Sequence, residues 1–168
     1  MALHFERDEF AARIARACNT LRREKLAALI IFAQESHYWL TGFDTSGFVF
    51  FQCAVLTADE GPIVLLTRRP DLEQARRTSI IEDIRLWYDS EGADPTRELK
   101  AILEEKKLAR ARIGIELATF GLTGFNHERV RRRLDGWCEL IDASNLIRSL
   151  RVGHKPIRPA ISRRARSG

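Results

Sequence analysis

The chain has 168 residues, 45% hydrophobic and 30% charged, which suits one globular domain and excludes a mainly disordered chain. The formal net charge is +5, but residues 151–168 hold six basic residues and no acid, leaving 22 basic against 23 acidic residues in 1–150. A nearly neutral body does not offer the basic face that nucleic-acid binding needs, and no apolar run approaches the roughly 18 residues of a membrane span. The N-terminus, Met1-Ala2-Leu3-His4-Phe5-Glu6-Arg7-Asp8, has no apolar signal core. Cys18, Cys53 and Cys138 are few and scattered, as expected of reduced thiols in a cytoplasmic protein.

Phe10, Ile14, Ala17 and Leu21 share one helical face, with Arg13, Arg16, Arg22 and Arg23 interspersed, which predicts a helix over 7–25. The apolar run 27–33 is too short for a buried helix and reads as a buried strand. No regular element is assigned to 34–41, and Gly42 to Gly47 reads as a loop that exposes Asp44, Thr45 and Ser46. Two strands, Phe48 to Thr57 and Pro62 to Thr67, flank a short turn containing Gly61 and predict a hairpin. In that first strand Phe48 and Phe50 would share a face and Phe51 take the other. Then come a helix over 70–78, a strand over 84–88, and a helix opened by Asp94-Pro95 that ends near Lys107. A strand at 113–117, a helix over 123–135 closed by Gly136, and a strand over 138–141 follow. Ser144 is expected to cap a last helix carrying Leu146, Ile147 and Leu150. Alternating strands and helices after a hairpin imply an α/β fold, a mixed β-sheet covered by helices on both faces.

Chemistry is hard to find in this pattern. The chain has no CxxC, no HExxH and no histidine one turn from His127, so His127-Glu128 reads as a solvated helix surface. His37, beside Tyr38 and Trp39, reads as a loop or packing residue, and Cys53 as an inert buried thiol. Phosphate loops and nucleophile elbows are absent, and Gly121-Leu122-Thr123-Gly124 reads as a turn feeding an N-cap. The run Arg129, Arg131, Arg132 and Arg133 reads as a solvated helix face.

The order of segments carries more than any single motif. A helix with Phe5 and Arg13 leads to the strand at 27–33 and then to Tyr38-Trp39-Leu40-Thr41-Gly42-Phe43. After the hairpin come Ile113-Gly114-Ile115-Glu116 and Asp142-Ala143-Ser144-Asn145-Leu146-Ile147-Arg148-Ser149-Leu150-Arg151. Over residues 5–151 this resembles the N-terminal domain of the creatinase, prolidase and aminopeptidase P family, with Trp39 where that family usually has Tyr and Ser36 where Asn is common. The resemblance implies a three-layer α/β/α domain over 1–151. It also implies a following catalytic domain holding two divalent metals (manganese, cobalt or zinc), whose two Asp, one His and two Glu would lie beyond this chain. The basic segment 152–168 departs from the family pattern and is expected to be a disordered tail or the start of that catalytic domain.

By the same resemblance the chain is a non-catalytic domain that helps build a homodimer and lends loops to the partner subunit's pocket for a small peptide or amide. Phe43, Asp44, Phe48 and Trp87 are then the expected substrate contacts, although Trp87 and Tyr88 also read as sheet core. No metal site is expected within the chain, and no catalytic residue. The alternative is a free-standing protein-interaction module, the role this fold has in a eukaryotic histone chaperone. Nucleic-acid binding through the basic tail alone is a third possibility.

Overall fold

The apolar run at 27–33 becomes β1 (Ala28–Ile31), and all four of its side chains are buried. In the computed structural model, which describes residues 3–153, β1 lies at the middle of a six-stranded sheet. The other strands are β2 (Cys53–Thr57), β3 (Val64–Arg68), β4 (Asp83–Trp87), β5 (Arg112–Ile115) and β6 (Glu139–Asp142), in the order β4-β3-β2-β1-β5-β6. β2 runs antiparallel to both β1 and β3, while β1/β5, β5/β6 and β3/β4 pair parallel, so every strand but β2 points the same way.

Both faces are covered, which is why the inner strands are apolar throughout rather than alternating. On one face Ile30, Val55, Leu66 and Ile113 pack under α4 (Pro95–Glu105) and α5 (Gly124–Leu134). On the other, Leu29, Ile31, Leu56 and Leu65 pack under α1 (Arg7–Arg23), α2 (Gln34–Thr41), α3 (Leu72–Thr78) and α6 (Leu146–Val152). Among the described residues no helix is long and apolar enough to cross a membrane.

The hairpin is β2–β3 as expected, and Glu60 in its turn takes a left-handed φ of +63°. Other expectations are corrected. Residues 34–41 form α2, whose buried side mixes Ser36, His37 and Thr41 with Trp39 and Leu40 and so shows no apolar stripe. Gly42 ends this helix at φ +79°, where a Cβ would meet the Thr78 carbonyl oxygen at 2.8 Å. The strand expected from Phe48 begins only at Cys53. Residues Gly47–Val49 are a 3-10 turn, with the Asp71 carboxylate against Gly47 and the Arg68 guanidinium over the Phe50 ring. Thr45, expected to be exposed, is 4% exposed, and its hydroxyl accepts from the Gly47 amide.

Ser144 does not cap α6, since Asn145 takes the cap position. Its hydroxyl oxygen instead accepts from the Leu117 and Ala118 amides, tying the end of β5 to the end of β6. α6 passes the expected domain boundary by one residue. The basic tail, from residue 154 onward, lies outside the described residues.

Asp94 does cap α4, accepting from the Thr96 amide at 3.1 Å and the Thr96 hydroxyl at 2.6 Å. Arg129 and Arg133 of α5 pair with the same carboxylate at 3.1 and 2.8 Å, joining the two helices. Burial pushes this carboxyl up, but the Thr96 and arginine contacts outweigh it and hold it at about 2. Asp94→Ala is expected to cost about 1–2 kcal/mol, read by urea unfolding at neutral pH. The contribution is lost as the pH falls through about 2, so mutant and native should converge in strong acid.

Candidate functional site

All strands but β2 end on one side of the molecule, and the connections there carry the groups that the fold leaves open. Leading into β2 are Phe48, Val49 and Phe50. After β4 comes Tyr88, and after β5 come Phe120 and, in the first turn of α5, Phe125. Phe120 is 95% exposed, and Phe125, Tyr88, Val49 and Phe50 are also exposed. The remaining exposed large apolar residue among those described, Val152, is the last residue of α6.

Between these connections lies a cleft of about 480 Å³. Gln34 and Glu35 of α2 form one wall, the loop Ala118–Gly121 the other, and Phe48 and Arg148 close the ends. A Cβ on Gly121 would lie 2.1 Å from the Phe32 carbonyl oxygen, so only glycine lets this loop come so close to the end of β1. Arg148 donates to the Ala118 carbonyl, and Arg151 pairs with Glu35 at 3.8 Å.

Beneath the cleft sits Glu116, 2% exposed, at the end of β5. Its Oε2 accepts from the Phe32 and Ala33 amides at 3.0 and 2.8 Å, and its Oε1 accepts from the Ser36 hydroxyl at 2.6 Å. Burial pushes this carboxyl up to about 7, against the pull of those three donors. Nearby on α2, His37 is 1% exposed, with its ring edge-on to Phe43. Burial pushes its imidazole down to about 4; the Ile31 carbonyl favours the charged form, yet neither ring nitrogen completes a hydrogen bond. The oxygens Gln34 Oε1 and Gln52 Oε1 are buried and unpartnered on the same side of the molecule.

The four residues expected to touch substrate separate here. Asp44 is exposed and Phe48 lines the cleft, but Phe43 is 0% exposed within the core. Trp87 is also buried, and its indole N–H donates to the Phe51 carbonyl at 2.8 Å, holding the segment before β2 in place. Glu116 was visible in the sequence only as the last residue of Ile113-Gly114-Ile115-Glu116. A lone acid ending an apolar strand is the signal that could have marked it as buried.

Elsewhere the chemistry is structural. Arg131 and Arg132 share Glu128, and Arg129 and Arg133 share Asp94, so each arginine of that run has a carboxylate. The Thr123 hydroxyl accepts from the Asn126 amide as a helix cap. Among the described residues no three His, Cys, Asp or Glu side chains come together as a metal-binding set. The three cysteines are unpaired.

Comparison with known proteins places this architecture. The family model of the creatinase/prolidase N-terminal domain matches residues 13–152. Ectoine hydrolase of Halomonas elongata is 25% identical over 173 aligned residues, which cover 92% of this chain and 43% of that protein. The recombinant prolidase of Thermococcus sibiricus shares the fold with a TM-score of 0.71 at 18% identity, over 84% of this chain and 36% of its own. The N-terminal domain of the cytoplasmic peptidase PepQ from Mycobacterium tuberculosis gives 0.64 at 21% identity, over 83% of this chain and 98% of its own. The chain thus spans less than half the length of ectoine hydrolase, and it belongs to the creatinase/prolidase N-terminal domain family.

Proposed function

We propose that the chain is the non-catalytic N-terminal domain of a creatinase- or prolidase-type hydrolase, and that the aromatic end of its sheet faces a second subunit and the substrate pocket. The observation that carries this reading is the grouping of Val49, Phe50, Tyr88, Phe120 and Phe125 at one end of the sheet. Apolar surface concentrated in this way marks an interface. Asp44 and Phe48 are the side chains placed to reach a small peptide or amide there. Phe43 and Trp87 are buried in the two core layers on either side of the sheet.

In this reading hydrolysis belongs to a catalytic domain carrying two divalent metals (manganese, cobalt or zinc). Xaa-Pro peptides and creatinase-like amides are the two substrate classes. The unpaired cysteines support the cytoplasm as the compartment.

Sedimentation over a wide concentration range tests the interface. The 168-residue chain is expected to form a weak dimer that Phe50→Asp with Phe120→Asp abolishes, while the thermal transition stays in place. A strictly monomeric chain at high concentration would put the association in the catalytic domain instead. The isolated chain with added manganese, cobalt or zinc is expected to hydrolyse no Xaa-Pro peptide, and metal-dependent turnover that survives repurification would overturn the non-catalytic role.

A further inference from the structure

The parallel strands β1, β5 and β6 start on the side of the molecule opposite the aromatic end. Three exposed cations stand there, on the approaches to β1 and β5: Lys25, Lys107 and Arg110. Arg112, the first residue of β5, ties the two approaches together. Its Nη1 donates to the Lys25 carbonyl at 3.3 Å, and its own carbonyl accepts from the Ala27 amide at 2.8 Å.

All three cations hold a left-handed backbone, with φ of +56° at Lys25, +58° at Lys107 and +60° at Arg110. Glycine takes this conformation without strain, whereas a Cβ makes it costly. Lys25 and Lys107 follow the ends of α1 and α4, where a cation also meets the negative end of the helix dipole. Arg22 and Arg23 already serve α1 in that way, and Arg110 follows no helix end. The charges are also uncommitted within the fold. Among the described residues none of the three forms an ion pair, while Glu24, Glu104 and Glu139 at this end are paired with Arg23, Lys100 and Arg112. The fourth described non-glycine residue at positive φ, Glu60, differs in this respect, since its carboxylate pairs with Arg22.

We infer that Lys25, Lys107 and Arg110 form a docking surface for an acidic segment of a partner protein. A ligand that brings carboxylates from outside accounts both for the strain accepted at three positions and for the cations left free. A polypeptide fits this surface better than a nucleic acid. Three free cations suit a few spaced carboxylates, whereas Glu24 and Glu139 beside them would repel a continuous phosphate backbone. The surface shares no residue with the cleft at the aromatic end, so it stands whether or not that end meets a second subunit.

A glutamate octapeptide, titrated into the isotope-labelled 168-residue chain at low salt and followed by amide shifts, tests the surface. Saturable shifts are expected at Lys25, Lys107 and Arg110, fading as salt is raised. In Lys25→Gly with Lys107→Gly and Arg110→Gly, affinity should fall about tenfold or more, while the thermal midpoint holds or rises by about 2–4 °C as glycine relieves the backbone. Lys25→Gln with Lys107→Gln and Arg110→Gln keeps the strain and removes the charge, so it should lose the peptide at an unchanged midpoint. Absence of shifts at the three amides overturns the surface, and undiminished affinity in either variant does so by placing the binding elsewhere. A lowered midpoint in both variants also overturns it, since the cations would then serve the fold. Tighter binding of an oligothymidylate of matched charge at the same amides would replace the polypeptide by a nucleic acid.

Discussion

Replacing Arg13 by alanine is expected to destabilise the domain by about 3–5 kcal/mol, read as a shift of the urea midpoint with unchanged slope. Arg13 is 2% exposed. Its Nε donates to Glu9 Oε1 at 2.8 Å and its Nη1 to the Trp39 carbonyl at 2.9 Å, so one side chain joins α1 to α2. The guanidinium carbon lies 4.0 Å from the Phe5 ring centre and 5.3 Å from that of Trp39, which also fastens the segment before α1. Truncation would open a cavity between three aromatic rings and take the buried cation from Glu9. Arg13→Lys is expected to recover only part of the loss, because an ammonium neither stacks nor forks between two acceptors. Arg13→Met with Glu9→Gln should recover more, since removing both charges leaves neither one buried alone. A loss below about 1 kcal/mol for Arg13→Ala would show the pair to be a bystander.

Arg13 also shows how the sequence could be read and where it misled. Three residues beyond Phe10 and four beyond Glu9, it stands on the buried face of the amphipathic helix, while periodicity alone gives it no different weight from the arginines at 16, 22 and 23. Its i−4 partner Glu9 is local, but Phe5 and Trp39, which complete its burial, come from outside the helix. The same reasoning explains α2. Its neighbours on the sheet bury Ser36, His37 and Thr41, so tertiary packing, not periodicity, makes it a helix.

The strands were legible because continuous apolar runs fit only a sheet covered on both faces, and the caps at Asp94 and Thr123 were legible because they act within a few residues. The site was not. The Glu116 cradle joins residues eighty or more positions apart, and the aromatic end of the sheet exists only once β4 and β5 deliver their loops to the same side. Phe43 and Phe48, five residues apart, look equivalent in the sequence. Phe43, just past the Gly42 end of α2, packs in the core, while Phe48 in the turn at Gly47 lines the cleft.

Stability is expected to vary little between about pH 4.5 and 6.5 in the native chain, because two buried groups oppose each other there. Glu116 rises from 4.5 to about 7 on folding, so its contribution is complete below 4.5 and is lost as the pH climbs to about 7. His37 falls from 6.5 to about 4, so its contribution is complete above 6.5 and is lost as the pH drops to about 4. Each span corresponds to about 3 kcal/mol, and their slopes cancel where they overlap. Asp59, Asp83, Asp94 and Asp142 are all lowered and act in more acid solution, leaving this window to the pair. His37→Phe keeps the ring against Phe43 and removes two unpartnered nitrogens, so near neutral pH it is expected to be neutral or to stabilise by about 1 kcal/mol. Its stability should then increase as the pH falls from about 7 to 4.5, exposing the Glu116 slope. Glu116→Gln should show the reverse, a decline from 6.5 towards about 4 that belongs to His37. Urea unfolding of the three proteins at matched pH values decides the matter: three parallel profiles would mean that neither group is held away from its ordinary titration by burial in the fold.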